Sequence, residues 1–142
     1  LSEKNGPPPE INLFNEKNNG ETILKLTDKN FIKSAHDISL GGIITAVSKM
    51  CIKGKKGVTL KKPNYLINKF EYLFGEDQGR YIIEIEKDDL KNVTEILEKN
   101  SVHFDELAFI NDSDLIIDDK SKVTIDELTK SNTTWLINYM SK

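Results

Sequence analysis

The chain has 142 residues, 37% of them hydrophobic and 30% charged, with a formal net charge of -3. That is one domain of ordinary size, able to bury roughly 68–70% of its unfolded surface, and its charge gives no overall attraction to nucleic acid or an anionic membrane. The single Cys51 excludes an internal disulfide framework and a multi-cysteine zinc site, while the absence of a long apolar run or a signal-type opening predicts neither a membrane span nor secretion.

A cytoplasmic domain is therefore expected, and the start at Leu1 rather than Met points to a fragment of a longer protein. Gly6 and the run Pro7, Pro8, Pro9 predict an extended arm over residues 1–12. A helix is expected over Leu13–Leu26, weakened by Gly20. Phe31–Asp37 reads as a strand and Ser39-Leu40-Gly41-Gly42 as a turn. Ile43, Ala46, Val47 and Met50 then fall at helical i, i+3, i+4, i+7 spacing, with Gly54 as the stop and Cys51 as a core thiol. Val58–Leu60 is a short strand, Pro63 a loop and Arg80–Ile85 a strand. Asp88 is expected to cap a helix with Leu90, Val93, Ile96 and Leu97 on one face. Phe104–Ile110 is a further strand. Leu115–Ile117 and Val123–Ile125 form a hairpin. Asp126 and Glu127 open a last helix that ends in an apolar patch of Trp135, Leu136, Tyr139 and Met140.

The core order is strand, helix, strand, strand, helix, strand. It predicts an α+β fold: a mixed sheet on a ferredoxin-like βαββαβ core, with added N- and C-terminal helices. Charge is clustered along the chain. Residues 49–69 hold seven lysines and no acid, and residues 105–119 hold six acids and no base. Two solvated faces are the simpler reading; a basic surface for phosphate or an acidic neighbour is the other.

Two motifs carry chemistry. In Ala35-His36-Asp37-Ile38-Ser39-Leu40-Gly41-Gly42 a strand ends in an acid and two glycines open a helix. Free amides and the helix dipole favour an anion there. Asp37 is placed to hold Mg²⁺ and His36 to donate a hydrogen bond. In Gly75-Glu76-Asp77-Gln78-Gly79-Arg80 four polar side chains crowd between apolar stretches. All 20 basic residues are lysine except Arg80, which marks that position, because only arginine offers a planar fork for bidentate pairing with Glu76, Asp77 or a phosphate. Glu76 and Gln78 suit the hydroxyls and amides of a small ligand. No nucleophile constellation, Walker loop or dinucleotide fingerprint is present.

His36-Asp37-Ile38-Ser39 with Gly41-Gly42, then Gly75-Glu76-Asp77-Gln78 with Arg80, resembles the C-terminal domain of the aminoimidazole ribonucleotide synthase superfamily. Within it the chain is most similar to the phosphoribosylformylglycinamidine synthase family, large-subunit type. The opening Gly6-Pro7-Pro8-Pro9 and closing Thr134-Trp135-Leu136 with Tyr139-Met140 fit the alphaproteobacterial version. The resemblance implies a three-layer α/β/α arrangement and the terminal of two copies of this domain. It implies a purine-biosynthetic ligase that uses ATP, Mg²⁺ and glutamine-derived ammonia, is inactive as an isolated domain, and holds no cofactor tightly in that form. Implied partners are the remaining domains, a glutaminase subunit and a small bridging subunit, with no nucleic acid and no membrane. The implied nucleotide or substrate contacts are His36, Gly41, Gly42, Glu76, Asp77, Gln78 and Arg80, with Asp37 on the metal. Asp77 stands where the first copy usually has Ser, and Leu40 where terminal copies often carry an acid. That points to a pseudosymmetric nucleotide site or a domain interface rather than the reaction centre. The alternatives are another superfamily member, such as thiamine monophosphate kinase, selenophosphate synthetase or the hydrogenase maturation dehydratase, and a free-standing ferredoxin-like regulatory module.

Overall fold

The computed structural model describes residues 10–63 and 67–141. Most of the expected proline arm, residues 1–9, lies outside the described residues. Helix α1 (Leu13–Asp28) begins at Asn12, whose side chain accepts from the Asn15 amide at 3.0 Å. Strand β1 (Ile32–Asp37), helix α2 (Gly42–Gly54) and strand β2 (Gly57–Leu60) follow. Helix α3 (Lys69–Phe74) is new relative to the sequence reading. Asn68 caps it by accepting from the Phe70 amide at 2.8 Å. Strand β3 (Tyr81–Ile85) leads through a 3₁₀ turn at Lys87–Asp89 into α4 (Leu90–Lys99). Asp88 therefore sits within that turn rather than capping the helix. Strands β4 (Ala108–Asn111), β5 (Asp114–Asp118) and β6 (Ser121–Thr124) precede α5 (Ile125–Met140). Strand β4 starts later than expected, and Ile125 belongs to α5 rather than to the hairpin. A capping box of Thr124 and Glu127 sets that boundary.

The α+β class, the mixed sheet and the terminal helices are all present. Among the described residues the strands pair in two groups. β1 and β3 form an antiparallel ribbon, and the other four form a sheet in the order β4-β2-β5-β6, with β2 and β5 parallel. Each group has its own apolar cluster. Ile43, Val47 and Cys51 of α2 join Leu60, Leu73, Leu115 and Ile125 over the four-stranded sheet. Burial pushes the Cys51 thiol above its ordinary value, as expected of a core thiol. Leu26 of α1 joins Val93 and Leu97 of α4 against Ile32, Ile83 and Ile85 of the ribbon. A two-stranded ribbon is marginal on its own, and these two helices supply its apolar cover.

The clustered charges find each other. Antiparallel β2 and β4 bring the basic and acidic stretches together. Lys61 pairs with Glu106, Lys56 with Asp112 and Lys69 with Asp118. Lys61 also lies 4.2 Å from the centre of the Phe109 ring, within cation–π range. Two of these pairs flank the β2–β4 ladder, and the third ties the start of α3 to the end of β5.

Candidate functional site

Both motifs lie where the chain passes between the two clusters. Strand β1 belongs to the ribbon, and the turn after it opens α2 of the larger core. Helix α3 belongs to that core, and the loop after it enters β3 of the ribbon. Antiparallel pairing places Asp37 opposite Tyr81, and the Ile38 amide donates to the Arg80 carbonyl at 2.9 Å. The two loops therefore meet at one end of the ribbon.

The turn needs its glycines. Gly41 and Gly42 have φ of 85° and 67°, a left-handed conformation that side chains resist. A Cβ on Gly42 would lie 2.7 Å from backbone atoms of Leu73 and Phe74. The close approach of α2 to the end of α3 thus depends on this residue.

The polar loop is braced by groups from three directions. Arg80 Nη2 donates to the Gly75 carbonyl at 2.7 Å and lies 3.3 Å from an Asp77 carboxylate oxygen. Asn19 of α1 donates its side-chain amide to the Gly79 carbonyl at 2.8 Å. Glu76 Oε1 accepts from the Gly41 amide at 2.7 Å, a direct link between the motifs. The guanidinium of Arg80 is thereby committed to its own loop.

Together the loops wall a hollow of about 360 Å³. Asp37, Ser39 and Leu40 line it from the turn, Glu76, Gln78 and Arg80 from the loop, and Glu16 from α1. The structure thus gathers Asp37, Glu76, Gln78 and Arg80 around one space. His36, Gly41, Gly42 and Asp77 are not part of its lining. His36 Nδ1 lies 2.6 Å from the Asp37 carbonyl. A carbonyl only accepts, so that nitrogen carries the proton and is spent on the backbone. Asp37 offers one exposed carboxylate. Among the described residues no group of three His, Cys, Asp or Glu could hold a metal ion. A magnesium ion held by Asp37 would take its remaining oxygens from water, a ligand's phosphates or a neighbouring domain.

Glu16 and Asn19 are absent from the sequence reading. A signal for them exists: asparagine is a poor helix-interior residue, yet Asn18 and Asn19 stand side by side within α1. Asn18 donates to the Asn100 carbonyl at 2.6 Å. Both thus bond distant backbone rather than serve the helix.

A second hollow, of about 300 Å³, is lined in part by Lys61, Tyr72, Phe104 and Glu106. Its Lys61 is paired with Glu106, and neither motif reaches it. No described helix is long and apolar enough to cross a membrane.

Comparison with known proteins bears on the family and the fold. Residues 1–117 match the family described as AIR synthase related protein, C-terminal domain. The subunit PurL of phosphoribosylformylglycinamidine synthase from Pelagibacter ubique is 80% identical over 140 residues, which is 99% of this chain and 19% of that protein. The Bartonella henselae counterpart is 34% identical over 142 residues, which is 100% of this chain and again 19% of the relative. The chain thus spans about a fifth of the length of these relatives. Thermotoga maritima PurL complexed with FGAR superposes with a TM-score of 0.74 at 20% identity, over 90% of this chain and 23% of that one. The T. maritima PurLQS structure gives 0.70 at 22% identity, over 91% and 23%. T. maritima PurL complexed with ATP gives 0.70 at 21% identity, over 82% and 22%. At these identities the likenesses show a shared fold. The chain belongs to the AIR synthase related protein, C-terminal domain, family.

Proposed function

We propose that this domain works within a longer polypeptide as part of an ATP-dependent phosphoribosylformylglycinamidine synthase. That enzyme is a carbon–nitrogen ligase of purine biosynthesis, converting formylglycinamide ribonucleotide and glutamine-derived ammonia to the amidine. The 80% identity to a PurL subunit along nearly the whole chain supports this reading. The relatives named above carry the synthase name, which does not favour the kinase, selenophosphate or regulatory-module alternatives. The similarity to PurLQS from T. maritima supports partners beyond the rest of the polypeptide, and a glutaminase and a small bridging subunit fit the need for ammonia.

The observation that carries a role for this domain is the meeting of the two motif loops around one hollow. About 360 Å³ falls at the low end of ligand pockets, which span roughly 300–1,000 Å³, so it suits part of a nucleotide. The lining holds the carboxylates of Glu16, Asp37 and Glu76 against one guanidinium that is already engaged. Such a wall repels a bare phosphate and favours hydroxyl and amide groups. Asp37 and Glu76 accept hydroxyl hydrogens, and Gln78 and Ser39 can both donate and accept. The phosphates of the same ligand then need cations from a neighbouring domain. The rim is half a site, and the isolated chain is inactive.

The test uses the full-length polypeptide. Gln78→Ala and Asp37→Ala each weaken nucleotide binding about tenfold by calorimetry, roughly 1.4 kcal/mol, and leave the domain folded. Unchanged nucleotide affinity in both variants would remove the rim from the reading. A saturable Mg-ATP isotherm with the 142-residue chain alone would overturn the half-site.

A further inference from the structure

We propose that Glu76 is a resident cap for α2, holding an amide that a ligand's phosphate would otherwise use. It is a positioning residue that makes the rim selective against anions. Helix α2 has no cap of its own: its N-cap is Gly41, no side chain caps it locally, and its first turn contains no acid. Four amide groups at a helix start lack partners, and the helix dipole adds positive potential there. The Ser39 carbonyl accepts from the Gly42 amide at 3.0 Å. The Gly41 amide is met by a carboxylate from 35 positions further along the chain, at 2.7 Å.

Glu76 is held in that pose rather than left to wander. Arg80 fixes the loop from Gly75, and Asn19 fixes it from Gly79. The turn is fixed on its side by Gly42 against the end of α3. A charge-assisted bond between two braced segments loses little entropy on forming. It joins the two motifs a second time, beside the backbone bond between Ile38 and Arg80. A phosphate approaching this helix start meets an anion already seated. The selectivity deepens the half-site reading of the rim, but the cap itself does not depend on nucleotide binding.

The experiment is amide spectroscopy on the 142-residue chain, with inorganic phosphate as the probe. In Glu76→Ala the Gly41 amide exchanges with solvent at least tenfold faster than in wild type. Glu76→Gln, which keeps an acceptor without charge, falls between the two. Inorganic phosphate moves the Gly41 resonance in Glu76→Ala at a concentration at least tenfold below that needed in wild type. Gly41 exchange within twofold of wild type in both variants overturns the cap. Equal phosphate responses in wild type and Glu76→Ala, whether saturating or absent, overturn the selectivity. Neither readout involves nucleotide or the full polypeptide, so failure here is distinct from failure of the proposed function.

Discussion

The two apolar clusters do different work. The larger one draws on three helices and the four-stranded sheet, and its strands are locked by ladders on both sides of β2 and β5. The smaller one rests on a two-stranded ribbon and is closed by α1 and α4, elements from opposite sides of β1 in sequence. The larger core packs three helices on its own four-stranded sheet, whereas the ribbon takes its apolar cover from α1 and α4. The rim forms where the chain passes between the two, so a side chain far from the hollow can still decide its shape.

The largest expected effect breaks the larger core. Leu115 is 1% exposed and lies in β5, at the centre of that cluster. Leu115→Ala removes a fully buried side chain and leaves a cavity, a loss of about 3 kcal/mol on the scale of such substitutions. Urea unfolding followed by both fluorescence and circular dichroism checks it. If the ribbon depends on the larger core, both probes fall in one transition. Two separated transitions would show that the clusters unfold independently.

The next effect acts on the seam. Gly42→Ala forces a left-handed φ on a side-chain-bearing residue and drives its Cβ into the backbone of Leu73 and Phe74. Strain of this kind costs on the order of 1–3 kcal/mol. The same substitution should disturb amide resonances on both sides of the seam, in α3 and in the 75–80 loop. Changes confined to α2 would separate the turn from the rim.

Much of this was legible in the sequence because it is local. Apolar spacing marked α2 and α4, short apolar runs marked β3 and the β5–β6 hairpin, and glycines marked both loops. Helix α3 was not legible. It is six residues long, too short for periodicity to emerge, although Asn68 followed by Phe70, Leu73 and Phe74 carries a cap and an i, i+3, i+4 face. The pairing of β1 with β3 and of β2 with β4 depends on register across distant stretches of chain, which no local pattern reports. The same holds for Asn19 reaching Gly79. The motif residues of the rim and the helix α1 could be named in advance; that α1 braces the rim could not.

A smaller effect runs in the opposite direction and sharpens the comparison on the ribbon side. Thr22 of α1 is 1% exposed, and its hydroxyl has no hydrogen-bond partner among the described residues. An unmet buried hydroxyl carries a desolvation cost of about 1–3 kcal/mol. Valine has nearly the same shape and a similar helix propensity. Thr22→Val should therefore stabilise the chain by about 1 kcal/mol, read as a rise in melting temperature with the rim resonances unmoved. A loss of stability would mean that the hydroxyl has a partner the fold needs.

The smallest effect concerns acid, and it separates the two regions by charge. Asp118, bonded first of all by Lys69, is held well below the usual carboxylate range. Lys122 likewise lowers Asp114, and the Thr124 backbone amide lowers Glu127. All three belong to the four-stranded sheet or the cap of α5. Each binds its proton more readily when unfolded than when folded. Stability from these groups is thus complete above the unfolded carboxylate value near pH 4 and is lost as pH falls below it. Asp118→Asn should lower the melting temperature at pH 6. That difference should shrink steadily from about pH 4 toward pH 2, where the unfolded wild-type chain takes up a proton that the folded Asp118 still refuses. A difference that stays constant across that range would assign the loss to packing rather than to the ion pair. Because the pairs are exposed, the shift is modest. Hydrogen exchange in the same window should quicken in β5 and β6 before β1 and β3, since Asp114 and Asp118 lie in β5 and Glu127 caps the helix that follows β6.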